Sequence, residues 1–356
     1  MSKIKSVDLY NFRCYDIEHY EFKDSINIII GSNASGKTSL VEAIYVLLTC
    51  KSFRGASDAE MITEGKEFYS VSGKINEQNE SALSIVYSKD GKKISKNGVV
   101  YKNLSDFVGE FCAIAFSPED LRMITGDPKY RRRFLDMSIS QFDKNYLNTI
   151  IEYNKLLKER NEFLKNIIND TINDNQKAML LTLSQMLIGK GKIIIEKRKN
   201  FIDKINTYLC KYVQEISNNN EKGYISYVPN CYLEQYEREM RVREKYDVVS
   251  GNTSCGPHRD DFEIFINDKD ANSYGSQGQK KTLALSVKLS LYRVLEEYGK
   301  NGIIILDDVF GELDKERQIY LMNVLDKAKQ IFITTTTLDN ISENVCREYN
   351  IIKIKK

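Results

Sequence analysis

Gly31-Ser32-Asn33-Ala34-Ser35-Gly36-Lys37-Thr38 follows the apolar run Ile26-Asn27-Ile28-Ile29-Ile30 and leads into Leu40, Ala43, Ile44, Leu47 and Leu48 at helical spacing. The octapeptide fits G-x-x-x-x-G-K-[ST], the phosphate-binding loop. Its glycines let backbone N–H groups turn inward onto phosphate oxygens. Lys37 then reaches the β- and γ-phosphates, and the Thr38 hydroxyl suits Mg²⁺. A strand before the loop and a helix after it aim a helix N-terminus at the anion, which a glycine-rich turn without a ligand would not need. The chain reads as a binder of nucleoside triphosphates.

Two further segments narrow this. Gly302-Ile303-Ile304-Ile305-Leu306-Asp307-Asp308 reads as a strand buried on both faces, as in a parallel sheet, ending in two carboxylates at the end that opens onto a ligand crevice. Asp307 is placed to hold the Mg²⁺ shell and Asp308 to reach the water that attacks the γ-phosphate. A solvated turn after a core strand is the plain alternative, and the phosphate loop outweighs it. The third segment, Ser273-Tyr274-Gly275-Ser276-Gln277-Gly278-Gln279-Lys280-Lys281-Thr282, runs into Leu283-Ala284-Leu285-Ser286-Val287-Lys288-Leu289. It is another glycine-bearing loop opening a helix, hence a second anion-binding device. One nucleotide does not need two on one chain, so this loop is expected to meet the γ-phosphate bound by another copy.

The order of phosphate loop, Ser-x-Gly-Gln loop, Asp-Asp strand and Gly311-Glu312-Leu313-Asp314 resembles the ABC-type ATPase head of transporters, SMC proteins and their DNA-repair relatives. Within that group the chain resembles the RecF family of bacterial recombination mediators. The matching segments are Asn11-Phe12-Arg13-Cys14-Tyr15, Leu40 to Tyr45, Lys51-Ser52-Phe53-Arg54, Phe116 to Leu121, Arg131 to Asp136, Gly256-Pro257-His258-Arg259-Asp260-Asp261 and Ser276 to Gln279. The resemblance implies an α/β fold: a P-loop ATPase head, with a mixed sheet, helices and an antiparallel β part, carrying an inserted α-helical lobe. It implies that Gly31, Ser32, Asn33, Ala34, Ser35, Gly36, Lys37 and Thr38 cradle ATP, with Thr38 and Asp307 on Mg²⁺ and Asp308 as the catalytic carboxylate. It also implies that Ser276, Gly278 and Gln279 act in trans across a dimer, that Asp314 lies in the loop crossing the interface, and that Arg13 approaches the nucleotide.

Three departures stand out. Ala34 occupies a position usually held by glycine in SMC-like heads. Ile333-Thr334-Thr335-Thr336-Thr337 has no histidine where transporters place one, which points to slow hydrolysis with a γ-phosphate contact missing or supplied by a hydroxyl. The loop after the first helix offers no clear glutamine.

Composition sets bounds. A net charge of +2 over 356 residues does not announce a nucleic-acid binder, so any DNA surface must be a local patch. Cys14, Cys50, Cys112, Cys210, Cys231, Cys255 and Cys346 form no C-x-x-C pair, which argues for reduced thiols in a cytoplasmic protein. His19 and His258 are too far apart in sequence to suggest a metal site. No signal peptide or membrane span is apparent, since unbroken apolar runs fall far short of the roughly 20 residues a span needs.

Strand alternation at Ile4, Val7 and Leu9 and at Ser84-Ile85-Val86-Tyr87, with turns at Asp90-Gly91 and Asn97-Gly98, predicts an antiparallel sheet beside the ATP core. Two helical stripes follow. One is Leu147, Ile150, Ile151, Leu157, Leu164 and Ile168. The other runs through Met179, Leu183, Met186, Leu187, Ile194, Phe201, Ile205, Tyr208, Tyr212 and Ile216. Polar residues 169–175 would turn one helix back on the other. Phe262-Glu263-Ile264-Phe265-Ile266 returns to strand. The expected division is a head of 1–120 with 250–356 and an inserted lobe of 121–249. Core packing explains the stripes more simply than a partner groove does.

Candidate DNA contacts are Lys92, Lys93 and Lys96, Arg131-Arg132-Arg133 and Lys197-Arg198-Lys199, although a basic run is usually a solvated face. The resemblance, rather than charge, implies an ATP-dependent homodimer that holds single-stranded, gapped or junction DNA. It further implies release by weak ATPase action, recombinase loading with mediator proteins, and a part in the SOS response. A transporter nucleotide-binding subunit and a phosphotransferase are the alternatives.

Lys37→Ala or Lys37→Met should abolish function by weakening phosphate binding while the fold survives, because the loop is expected at the surface. Equilibrium binding of labelled ATP checks this, and wild-type affinity would overturn the phosphate-loop reading.

Overall fold

The computed structural model describes residues 3–76, 79–168, 173–300, 302–341 and 349–354. It divides into two compact units, 1–120 with 291–356, and 121–290.

The first unit holds two sheets. Its strands are β1 (Lys3–Phe12), β2 (Tyr15–Glu21), β3 (Ile26–Ile30), β4 (Tyr69–Asn76), β5 (Glu80–Ser88), β6 (Gly91–Lys96), β7 (Val99–Val100) and β8 (Ala113–Phe116). The antiparallel sheet has the order β2-β1-β4-β5-β6-β7. Its two tight hairpins fall at the expected turns, with Ser88 paired to Gly91 and Lys96 to Val99. Asn97 and Gly98 supply the left-handed backbone that a two-residue turn requires, at φ 52° and 79°.

Helix Lys37–Thr49 packs on both sheets, so Leu40, Val41, Ala43, Ile44, Val46, Leu47 and Leu48 are all fully buried. Burial of this kind contributes about 1.5–3 kcal/mol per large apolar side chain. Tertiary packing therefore holds the helix more than intrinsic propensity does.

The second unit has its own three-stranded sheet of β9 (Gly223–Val228), β10 (Asp261–Ile266) and β11 (Lys269–Asp270), all antiparallel. The Phe262–Ile266 strand is thus present and pairs here. Helices Pro128–Ser140, Lys144–Asn166, Asp174–Ile216 and Tyr236–Ser250 make up most of the rest. The first stripe shifts in detail: Ile151 is exposed, while Tyr153, Leu156 and Arg160 turn inward. In the second, Met179 and Met186 face solvent, and Leu180, Ile188, Ile195 and Leu209 are buried. Of the expected helix–helix turn, 169–172 lie outside the described residues. Asn173 caps the next helix in a reciprocal box with Gln176.

Asp174–Ile216, at 43 residues, is long enough and apolar enough to cross a bilayer, which the sequence reading did not find. Its apolar stripe is buried within the unit, and Arg198 on the same helix is buried among polar partners.

Those partners give a role to two motifs that the sequence left open. Arg198 donates to Asp136 (2.8 Å), Asp260 (3.1 Å), the Pro257 carbonyl (2.7 Å) and the Tyr146 hydroxyl (3.0 Å). Asp260 also accepts from the Tyr227 hydroxyl and from the Asn230 N–H. Arg131 grips Asp261 bidentately at 2.6 and 2.7 Å, and Arg132 donates to the Asp260 carbonyl at 2.7 Å. The Arg131–Asp136 and Gly256–Asp261 segments are therefore two halves of one internal lock.

The expectation that every cysteine is a free thiol is corrected. Cys231 and Cys255 form a disulfide, although 24 residues separate them. Asn230 brings the two segments together, since its N–H meets Asp260 and its amide oxygen accepts from the Gly256 N–H.

The closing part of the first unit completes the parallel sheet with β12 (Ile303–Asp307), β13 (Ile331–Thr335) and β14 (Tyr349–Lys353), in the order β14-β3-β13-β12-β8. Every pairing in it is parallel. Gln330, fully buried at the foot of β13, stitches the two sheets together. Its side chain accepts from the Ile4 N–H and donates to the Ile4 carbonyl, both at 2.8 Å.

His258 provides a pH test of the second unit. The Thr253 carbonyl can only accept, so Nε2–H donates to it, and in the neutral ring Nδ1 accepts from the Tyr153 hydroxyl. Burial pushes its pKa down to about 4. A depressed folded value means that stability is full above the unfolded value of about 6.5 and is lost as pH falls toward 4. His258→Gln should shrink this loss by something on the order of 2–3 kcal/mol. Urea melts at pH 7 and pH 4.5 check this, and an equal loss in both proteins would refute it.

Candidate functional site

The phosphate loop joins β3 to helix Lys37–Thr49, and that helix has no acidic residue in its first turn. Ala34 and Gly36 take left-handed backbone at φ 62° and 106°. An alanine there costs about 1 kcal/mol over glycine. A Cβ on Gly36 would lie 2.7 Å from the Tyr15 hydroxyl, which itself donates to the Gly36 carbonyl at 3.1 Å. The Asn11–Tyr15 segment thus braces the loop from beneath.

Lys37 is not the surface side chain expected. It is 7% exposed and its ammonium donates to the Gly31 and Ser32 carbonyls, each at 2.8 Å. The cation folds into the loop it belongs to. The Ser35 hydroxyl is buried there without a hydrogen-bond partner among the described residues, a polar atom that a phosphate oxygen would satisfy.

Beside the loop, β12 delivers Asp307. One of its oxygens, Oδ1, accepts from Thr38 Oγ1 at 2.9 Å and from Thr334 Oγ1 at 2.8 Å. Burial pushes the Asp307 carboxyl up, against the pull of the Thr334 and Thr38 hydroxyls. A buried carboxylate short of positive charge, next to a threonine hydroxyl, is the oxygen donor set that Mg²⁺ prefers. Asp308 follows in the left-handed region at φ 55°, with its side chain exposed. Its N–H donates to Thr334 Oγ1 at 2.9 Å.

Arg13, read as a nucleotide contact, is engaged elsewhere. It holds the fully buried Glu42 bidentately at 2.8 and 2.9 Å and reaches the Glu60 carbonyl. Ser52 donates to the same carboxylate at 2.5 Å, and Arg54 lies 3.8 Å from it. Glu42 is the residue that the sequence reading missed. Its signal was present, because it lies in one quoted segment and two others supply its partners.

Ser276, Gly278 and Gln279 lie in the second unit at the mouth of helix Gln277–Glu297, which has no acidic residue in its first turn. The Gln279 N–H donates to Ser276 Oγ at 3.2 Å, and the Ser276 N–H to Gln279 Oε1 at 2.8 Å. This is a capping box. Ser276, Gln277 and Gly278 are exposed. Asp314 caps helix Lys315–Val324 by accepting from the Arg317 N–H at 2.9 Å.

The basic clusters are largely engaged. Lys92 is buried on Asp58 and the Cys50 carbonyl, Lys96 pairs with Glu110, and Lys197 pairs with Asp143. Lys93 and Lys199 stay exposed.

The RecF/RecN/SMC N-terminal domain family matches residues 3–356. A DNA replication and repair protein RecF from Halalkalibacterium halodurans is 37% identical, over 99% of this chain and 98% of that protein. One from an Exiguobacterium species is 36% identical, over 99% and 97%. A solved recombination mediator protein RecF with ATP, described in the RecFOR pathway, aligns with a TM-score of 0.88 at 34% identity, covering 97% of this chain and 93% of that one. An Smc head domain from Pyrococcus furiosus, with a TM-score of 0.53 at 15% identity, shares the fold.

Because the folded pKa of Asp307 lies above its unfolded value, its contribution to stability is full at low pH and is lost as pH rises through the raised value. At neutral pH the free protein carries this cost. Asp307→Asn should therefore raise the melting temperature without nucleotide by about 2–5 °C and remove the Mg²⁺-dependent part of ATP binding. Differential scanning calorimetry with and without Mg²⁺-ATP reads both, and a lowered melting temperature would contradict the assignment.

Proposed function

Because the chain belongs to the RecF family, we propose that it is an ATP-switched DNA-binding protein of recombinational repair and replication-gap processing. In this reading residues 1–120 and 250–356 form the ATP-binding head by function, and 121–249 are a lobe inserted into it. Gly31 to Thr38 would hold the triphosphate, and Thr38 with Asp307 would hold Mg²⁺. Bound there, ATP supplies the transferable γ-phosphate and Mg²⁺ draws off its charge. The exposed Asp308 carboxylate, on a fixed backbone, would orient the attacking water. Asp314 would lie at the dimer interface, and Arg13 would have to leave Glu42 to reach a nucleotide.

Hydrolysis would be slow. No histidine follows β13, and the nearest hydroxyls are held, Thr334 on Asp307 and Thr335 on the Thr337 carbonyl. A slow ATPase suits a switch: ATP joins two copies on single-stranded, gapped or junction DNA, and hydrolysis releases them. Mediator proteins and recombinase loading follow from the same family reading, as do the SOS response and a cytoplasmic setting. Family membership displaces the transporter-subunit alternative.

One observation carries the dimer. The amide end of a 21-residue helix is exposed, free of acidic residues in its first turn and braced by Ser276 and Gln279, while the chain already has a phosphate loop elsewhere. The economical ligand is a phosphate held by a second copy.

Ser276→Arg should therefore spare ATP binding but block ATP-dependent dimerisation, with Ser276→Ala as the control for loss of the cap alone. Sedimentation with ATP should give a monomer for the arginine variant. Mixing it with Lys37→Ala should restore partial turnover, because one composite site in the mixed dimer stays intact. ATP-dependent retention on gapped duplex should be lost in the same variant. A normal dimer of Ser276→Arg would sink the shared site.

A further inference from the structure

We infer that Thr334 is a positioning residue of the site, one hydroxyl that sets both the cation-binding carboxylate and the water-orienting one. The inference rests on the ATP-site reading above. Thr334 is 1% exposed, so its rotamer is fixed by packing. Its Oγ1 makes two bonds of opposite sense. It donates to Asp307 Oδ1 at 2.8 Å and accepts from the Asp308 N–H at 2.9 Å. A hydroxyl has one proton and two lone pairs, so this pair of contacts fixes the direction of the proton.

Each bond has a separate consequence. Asp308 stands at φ 55°, a conformation that costs a non-glycine residue about 1–2 kcal/mol. Its N–H has its partner on the neighbouring strand, so the bond to Thr334 offsets that cost and determines which way the exposed carboxylate leaves the strand end. Asp307 Oδ1 has two hydroxyl donors in this structure, Thr38 and Thr334. A cation on Thr38 would take a lone pair of its hydroxyl and leave the proton to donate, so the direction of that bond would then have to suit the cation as well as Asp307. Thr334 would have no cation to serve, and its bond would hold the carboxylate oriented whether or not the site is filled. It sits on β13, in register with Asp307 across the parallel pair, so the strand ladder itself fixes the spacing.

Outer partners of metal-binding carboxylates typically change metal affinity or turnover by about 10–100-fold when removed. Thr334→Val keeps the β-branched shape and deletes the hydroxyl, whereas Thr334→Ser keeps the hydroxyl and deletes a methyl group. We expect Thr334→Val to raise the Mg²⁺ concentration for half-maximal ATP binding by about tenfold and to lower kcat by about tenfold or more. ATP binding in EDTA should not change. Thr334→Ser should restore both quantities to within about threefold of wild type. Thr334→Ala serves as a second variant without the hydroxyl if the valine variant fails to fold. Wild-type Mg²⁺ dependence in every folded variant that lacks the hydroxyl would overturn the inference, as would Thr334→Ser behaving like Thr334→Val. Failure of the wild-type protein to bind ATP at all would instead overturn the reading on which the inference rests.

Discussion

One carboxylate oxygen holds the site together. Asp307 Oδ1 receives Thr38, 269 residues away in sequence, and Thr334, 27 residues away, so the phosphate loop and two strand ends meet at a single acceptor. The parallel sheet makes this possible. Thr335 pairs with Ile30 and Asp307 with Thr334, which brings the carboxyl ends of β3, β13 and β12 level. Parallel strands put all their carboxyl ends on one edge, and ligands of open α/β sheets bind along that edge. The arrangement costs stability in the absence of a cation, because it buries a charge whose hydrogen bonds, among the described residues, come from the Thr38 and Thr334 hydroxyls. A site that is uncomfortable when free is poised to gain from its ligand.

Elsewhere the buried charges are paired, and the pairing is architectural. Arg160 and Asp247 are both fully enclosed and 2.8 Å apart, and Arg160 also donates to Ser184 and Thr253. Arg198 joins Asp136 and Asp260, while Glu42 gathers Arg13, Ser52 and Arg54. Replacing such an ion pair by apolar residues can be neutral, but removing one partner leaves an uncompensated charge at a cost of about 3–5 kcal/mol. Of the arginines that look like a nucleic-acid surface in the sequence, Arg198 belongs to these pairs and Arg131 is held by Asp261. Lys93 in the first unit and Lys199 in the second are exposed and stand outside these pairs.

Two helix starts show how local chemistry sorts function from structure. Both Gln277–Glu297 and Lys315–Val324 are capped by their own side chains, the first through neutral Ser276 and Gln279, the second through Asp314 with Glu316 in its first turn. A neutral cap leaves the positive end of the helix dipole available to an anion, whereas an acidic cap neutralises it. Of these two helix starts, only the first has a neutral cap, although its Gln279 amide also donates to Glu221 at 2.9 Å.

The sequence alone determined the phosphate loop, the Asp307-Asp308 strand end, the Asn97-Gly98 hairpin and the family. Each is written in contiguous residues whose backbone demands are local, such as a left-handed turn, a two-faced apolar strand or glycines ahead of a helix. The helical stripes were legible in period and displaced in detail, because helical spacing fixes which residues share a face and not which edge of that face meets a neighbour. Tertiary structure alone decided that Lys37 folds back onto the Gly31 and Ser32 carbonyls, that Glu42 collects three motif segments, and that Cys231 meets Cys255. It also decided that Thr334 links the two site carboxylates. These are contacts between residues that only strand pairing and packing bring together. Short-range pattern carries no information about which distant partner will satisfy a buried charge or a single hydroxyl proton.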